Sequence, residues 1–223
     1  MKRTKLADRV LPSYSRPQEI FNMTSHIVGG ALGIIALVLC VIVCAKKGDA
    51  YGIVSSIIYG VSCIALYTMS SIYHGLYPNA GKKVMQIIDH CTIYFLIAGT
   101  YTPVLLCKVR LIAPGVAWAM FGFVWLCALM AATFTAIDIK KYTKLSMICY
   151  IGMGWSAIFA IKTIIKAVPT AGLLYILFGG IAYTIGAIIY GVGKKHHIMH
   201  SVFHILCIIG TVLQFVGIYF YVI

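Results

Sequence analysis

The chain has 223 residues, 61% of them hydrophobic and only 10% charged, with a mean hydropathy of +0.97. A soluble domain carries roughly 25% charged residues, and the deficit here runs the whole length, which excludes an ordinary soluble globule. The net charge of +13 does not indicate a nucleic-acid partner, because the lysines and arginines fall in pairs between apolar runs and form no basic patch with interleaved aromatics.

Residues 1–18, MKRTKLADRVLPSYSRPQ, read as a short basic tail without an apolar h-region. No cleaved signal peptide is expected, and the first apolar segment is expected to remain as an anchor. Residues 19–223 read as one membrane domain. Seven segments, approximately 20–45, 50–76, 85–107, 113–136, 145–167, 171–192 and 198–222, supply the run of about 20 apolar residues that a spanning helix needs. Between them lie KKGD (46–49), YPNAGKK (77–83), CKVRLIAPG (107–115), DIKKYTK (138–144), AVPTAG (167–172) and GVGKKHH (191–197), rich in charge, Gly, Pro or Asn. The predicted fold is all-α, a seven-helix transmembrane bundle.

Orientation follows from the basic residues. With the N-terminus inside, twelve lie on the inner side (Lys2, Arg3, Lys5, Arg9, Arg16, Lys82, Lys83, Lys140, Lys141, Lys144, Lys194, Lys195) and six on the outer (Lys46, Lys47, Lys108, Arg110, Lys162, Lys166). This bias predicts a cytoplasmic N-terminus and an external C-terminus. The eight cysteines lie almost all within apolar runs and form no C-x-x-C, so they read as reduced, small core hydrophobes.

Ionisable residues inside spans are costly and usually functional. The candidates are His26, His74, Asp89, His90, His200 and His204. His74 closes the second span. Asp89 lies six residues past Lys83, roughly 9 Å along a helix, and His200 and His204 lie five and nine past Lys195, roughly 7 and 13 Å. Three helices therefore present polar side chains at one depth. His200 and His204, four apart, share a helix face and suit a divalent metal. With His74 they make three imidazoles and leave one position open, the pattern of a catalytic zinc site. Asp89 is then placed to hold the metal-bound water or act as general base, and Ser70, one turn before His74, shares that face. The alternatives are hydrogen bonds between helices for the histidine pair and an ion pair between Asp89 and a lysine of the preceding loop. His26 and His90 read as packing or interfacial residues, and His196 and His197 as solvated. Small residues in SHIVGGALG and FGGIAYTIGAIIYGVG read as packing seams. The sequon NMT at 22–24 reads as a chance match.

The segments EIFNMTSHIVGG, SSIYHG, DHCTIYFLIAGTYTP and HSVFHILC, in this order, resemble the hemolysin III family, which is related to the progestin and adipoQ receptors and more distantly to the alkaline ceramidases. The resemblance implies a seven-helix bundle with zinc held near the cytoplasmic face by His74, His200 and His204, with Asp89 reaching the metal through water and Ser70 beside it. Glu19 and Asn22 match the family's first-helix signature without an assignable role. The resemblance also implies membrane lipids as partners and a bacterial plasma-membrane location. It leaves three functions: a zinc-dependent hydrolase of lipid amides or esters, a regulator of membrane fluidity, and a cytolytic pore. Sequence speaks against the pore, because no charged rings line a channel.

Overall fold

The computed structural model describes residues 3–193 and 198–223. Lys2, Lys194, Lys195, His196 and His197, which entered the charge count and the loop reading, lie outside the described residues. Each apolar run folds as a helix long enough to cross a bilayer: α1 Arg16–Lys46, α2 Ala50–Gly75, α3 Ala80–Ile112, α4 Pro114–Ile137, α5 Thr143–Ala167, α6 Thr170–Val192 and α7 Ile198–Tyr221. No strand occurs among the described residues. This is a multi-pass membrane protein, and its outer surface fits lipid as solvent: Ile148, Ile158, Phe159 and Phe220 are all more than 60% exposed.

Local chemistry sets the helix ends. The Ser15 N–H donates to Gln18 Oε1 at 2.9 Å, and Pro17 occupies the first turn, where no helical N–H bond is forgone. α1 stops at Gly48, whose φ of 66° is the left-handed conformation glycine adopts without penalty. Asn79 opens α3 by accepting from the Lys82 N–H at 2.9 Å, the usual task of a helix N-cap.

One expected break is corrected. CKVRLIAPG does not form a loop; helix continues to Ile112, and only Ala113 separates it from α4. Pro103 has no N–H to offer, and the backbone answers by widening into a π-helical turn over Val104–Val109, which relieves the clash without ending the helix. The charge that suggested a loop is accommodated at the helix end, where the Arg110 guanidinium lies 3.6 Å from the Tyr51 ring centroid, a cation–π arrangement.

The small residues do form seams. Gly29 and Gly33 of α1 face Tyr67 and Cys63 of α2, and Gly172 and Gly179 of α6 face Tyr221 and Gln214 of α7. A methyl group added at Gly179 would stand 2.9 Å from the Gly210 carbonyl oxygen, so the close approach of α6 and α7 requires glycine there. One core gathers Tyr59, Tyr67, Leu105 and Ile218, and a second, between α3, α4 and α5, gathers Tyr94, Val124, Ala128 and Met153.

The tail is a strap across one end of this bundle. The Arg3 Nε donates to the Ile137 carbonyl at 2.7 Å, the Thr4 N–H to Asp138 Oδ2 at 2.8 Å, and Lys83 Nζ to the Ala7 carbonyl at 2.7 Å. Asp138 receives backbone N–H groups from Thr4, Lys141 and Lys140, which hold its carboxyl down at about 2. A carboxyl depressed in the fold stabilises above its unfolded pKa and loses that contribution as pH falls through the folded value. The strap is therefore expected to detach from α4 between about pH 4 and about pH 2. A spin label at residue 5 should gain mobility over that window in the wild type, with no such transition in Asp138→Ala.

Candidate metal centre

α2 ends and α7 begins on the face that carries the strap, which puts His74 in the last turn of one helix opposite the first turns of the other. The His200 Nε2 lies 3.2 Å from His74 Nε2 and 3.1 Å from His204 Nε2. All three residues are buried, and together they form a group able to hold a metal ion. Sequence spacing explains half of this, since residues four apart share a face. The other half is the docking of α2, which brings in a ring 126 positions away in the chain.

The proton count shows why a cation fits. Glu19 Oε1 accepts from Lys82 Nζ at 2.6 Å, and Glu19 Oε2 stands 2.6 Å from His74 Nδ1. A carboxylate clasped by a lysine has no proton to give, so His74 Nδ1 carries the hydrogen and His74 Nε2 presents a lone pair. If His200 is protonated on Nε2, that proton satisfies only one neighbour, and the other still meets a lone pair. A cation between the rings serves all three. Nitrogens bound tetrahedrally at 2.0–2.1 Å stand about 3.3 Å apart, close to the spacing seen. The Glu19–His74 contact is also the carboxylate–histidine arrangement that orients a ligand ring and raises its basicity.

Glu19 is the residue that sequence reasoning missed. The family signature assigns it no role, yet Glu19, Asn22 and His26 stand at i, i+3 and i+7, one face of α1. That spacing is the signal available in the sequence. Asn22 Oδ1 accepts from the Ser201 hydroxyl at 2.7 Å, and Asn22 is fully buried. The His26 ring stacks on His204 at 3.7 Å between centroids, behind the three imidazoles. His90 sits apart, its Nδ1 bonded to the Gln86 carbonyl at 2.8 Å.

Asp89 is buried and lies outside the tight group of three imidazoles. Its carboxylate meets the Ser70 hydroxyl, one turn before His74. The lysine pairing considered for Asp89 does not form; Lys82, the buried lysine of that loop, goes to Glu19 and to the Leu76 carbonyl at 2.9 Å. Above the centre, the Tyr14 ring of the strap stacks on His200 with centroids 5.0 Å apart. Burial, and then the neighbouring Tyr190, Glu19 and Asp89, raise the Tyr14 phenol, so it stays protonated. Beside the centre, a groove of about 460 Å³ runs between α1 and α7, lined by Pro17, Phe21, Ile198, Ser201, Val202 and Ile205 among others.

The sequence model of the family described as "Haemolysin-III related" matches residues 14–215. This chain belongs to that family. The match takes in every residue placed at the histidine centre above, from Tyr14 to His204. The chain is 36% identical to "Hemolysin-3" of Bacillus cereus over 205 residues, covering 92% of each protein. It is also 36% identical to "Hemolysin-3 homolog" of Bacillus subtilis (strain 168) over 204 residues, covering 92% of this chain and 94% of the relative. A more distant likeness, 24% over 180 residues, links this haemolysin-III protein to "Monocyte to macrophage differentiation factor" of Homo sapiens, covering 78% and 72% of the two chains.

Proposed function

We propose that this haemolysin-III protein is a zinc-dependent hydrolase of lipid amide or ester bonds that serves membrane-lipid homeostasis, in a bacterial plasma membrane with its N-terminus cytoplasmic. The observation that carries the reading is the convergence of His74, His200 and His204 on one point, with Glu19 fixing the tautomer of His74. In this reading the three imidazoles hold zinc, and Glu19, anchored by Lys82, keeps His74 aimed. When bound, zinc supplies positive charge that polarises a carbonyl and makes a nearby water acidic. Asp89 takes the proton from the attacking water oxygen and returns it to the leaving nitrogen or oxygen. Ser70 orients the Asp89 carboxylate, and the apolar groove between α1 and α7 seats an acyl chain.

Asp89→Asn separates binding from chemistry. It is expected to keep its zinc while release of fatty acid from a panel of lipid amides and esters falls about 10²- to 10⁴-fold, the usual size of a general-base contribution. A second reading has its own observation: the Lys82–Glu19–His74 chain ties α3, α1 and α2 together, as a purely structural metal clamp would require. Zinc-loaded wild type that is inert across the whole lipid panel would replace the hydrolase with a non-enzymatic regulator of membrane fluidity.

A further inference from the structure

Along residues 3–13 of the strap, one side chain alone is buried, and it is a charged one. Arg9 is 6% exposed, while its neighbour Val10 is 89% exposed and Leu6 37%. Apolar burial would have chosen the reverse. The Arg9 Nε and Nη1 have no hydrogen-bond partner, and no carboxylate pairs with the guanidinium among the ion pairs of the described residues. A buried cation without a partner is strongly unfavourable, so the fold leaves Arg9 one charge short.

The strap locates this deficit. Ala7 is tied to Lys83 at the start of α3, and Tyr14 lies on His200. Arg9 is two residues from the first anchor and five from the second, so its backbone lies within roughly 7 Å and 17 Å of them. It therefore lies on the end of the bundle that also carries the histidine centre. Guanidinium presents a planar fork that matches phosphate oxygens with paired, charge-assisted hydrogen bonds.

We infer that Arg9 is the anchor of a phosphate-binding site at the mouth of the bundle, formed when the strap is docked. The ligand class is a phosphate mono- or diester, whose sources are a phospholipid headgroup or free phosphate. The site does not depend on the metal and is expected in a His204→Ala protein as well.

The test uses the full-length protein in detergent, titrated separately with short-chain phosphatidylglycerol and with inorganic phosphate, and read by ³¹P NMR line broadening. Wild type should bind the lipid, and Arg9→Gln should bind at least about tenfold more weakly, with Arg9→Lys in between because it keeps charge but not the fork. A spin label at residue 5 reports whether the strap stays docked in each variant. Equal responses to both ligands support the site and assign it to phosphate itself, whereas a response to the lipid alone assigns it to the headgroup. No response to either ligand in wild type, or equal binding by Arg9→Gln with the strap in place, overturns the inference. Loss of binding only where the strap has left its dock also overturns it, because the strap and not the guanidinium would then be the determinant.

Discussion

Replacing His204 with alanine is expected to empty the metal centre, taking zinc in detergent-purified protein from about one ion per chain to less than about a tenth. His204 is 1% exposed, and its Nε2 is one corner of the triangle completed by His200 and His74. Two imidazoles on different helices retain only part of the coordination, and water must supply the rest. Elemental analysis of the purified variant measures this directly. Circular dichroism at matched concentration shows whether the helices survive, since most of α7 packs through other residues, such as Cys207, Thr211 and Ile218. Full zinc content in His204→Ala would place any bound ion elsewhere and end the proposed role of the histidine group. Asp89→Asn provides the contrast, because a residue outside the ligand group should leave metal content intact.

The second large effect belongs to Glu19. In Glu19→Ala, Lys82 keeps its buried position, 2% exposed, but loses the carboxylate 2.6 Å from its ammonium. Breaking a buried pair on one side costs about 3–5 kcal/mol, which corresponds to a fall in Tm of roughly 6–20 °C for a chain of this size. The same change frees His74 from the group that fixes its tautomer, and loss of such a partner weakens metal binding by about 10- to 100-fold. The two consequences are separable. Glu19→Ala with Lys82→Met removes both charges, so thermal stability should recover most of the loss, while zinc affinity, measured by competition with a chelator, should stay low. If the double variant regains wild-type affinity, the carboxylate supports only the fold and not the metal ligand.

Orientation of a ligand ring is a tertiary matter, and this explains what sequence reading reached and where it stopped. His200 and His204 were legible because both lie on one helix, where a spacing of four residues fixes their shared face. His74 was legible through depth, since each residue advances a helix by about 1.5 Å and the loops set a common level. Depth, however, is only one coordinate. The angle at which α1 docks decides that Glu19, not Asp89, meets Lys82, and that contact joins residues 63 apart in the chain. The misplaced break at 107–115 has a similar cause: charge and proline suggest a loop in sequence, while a π-helical turn and the Tyr51 ring let the helix absorb both.

Sequence by itself thus determined the membrane class, the seven helices and the histidine pair, because hydropathy and helical period are properties of single segments. Tertiary structure alone decided the tautomer of His74, the partner of Lys82, the cover of Tyr14 over His200 and the isolation of Arg9. Each of these depends on how helices and strap are rotated and packed against one another, which no single segment encodes.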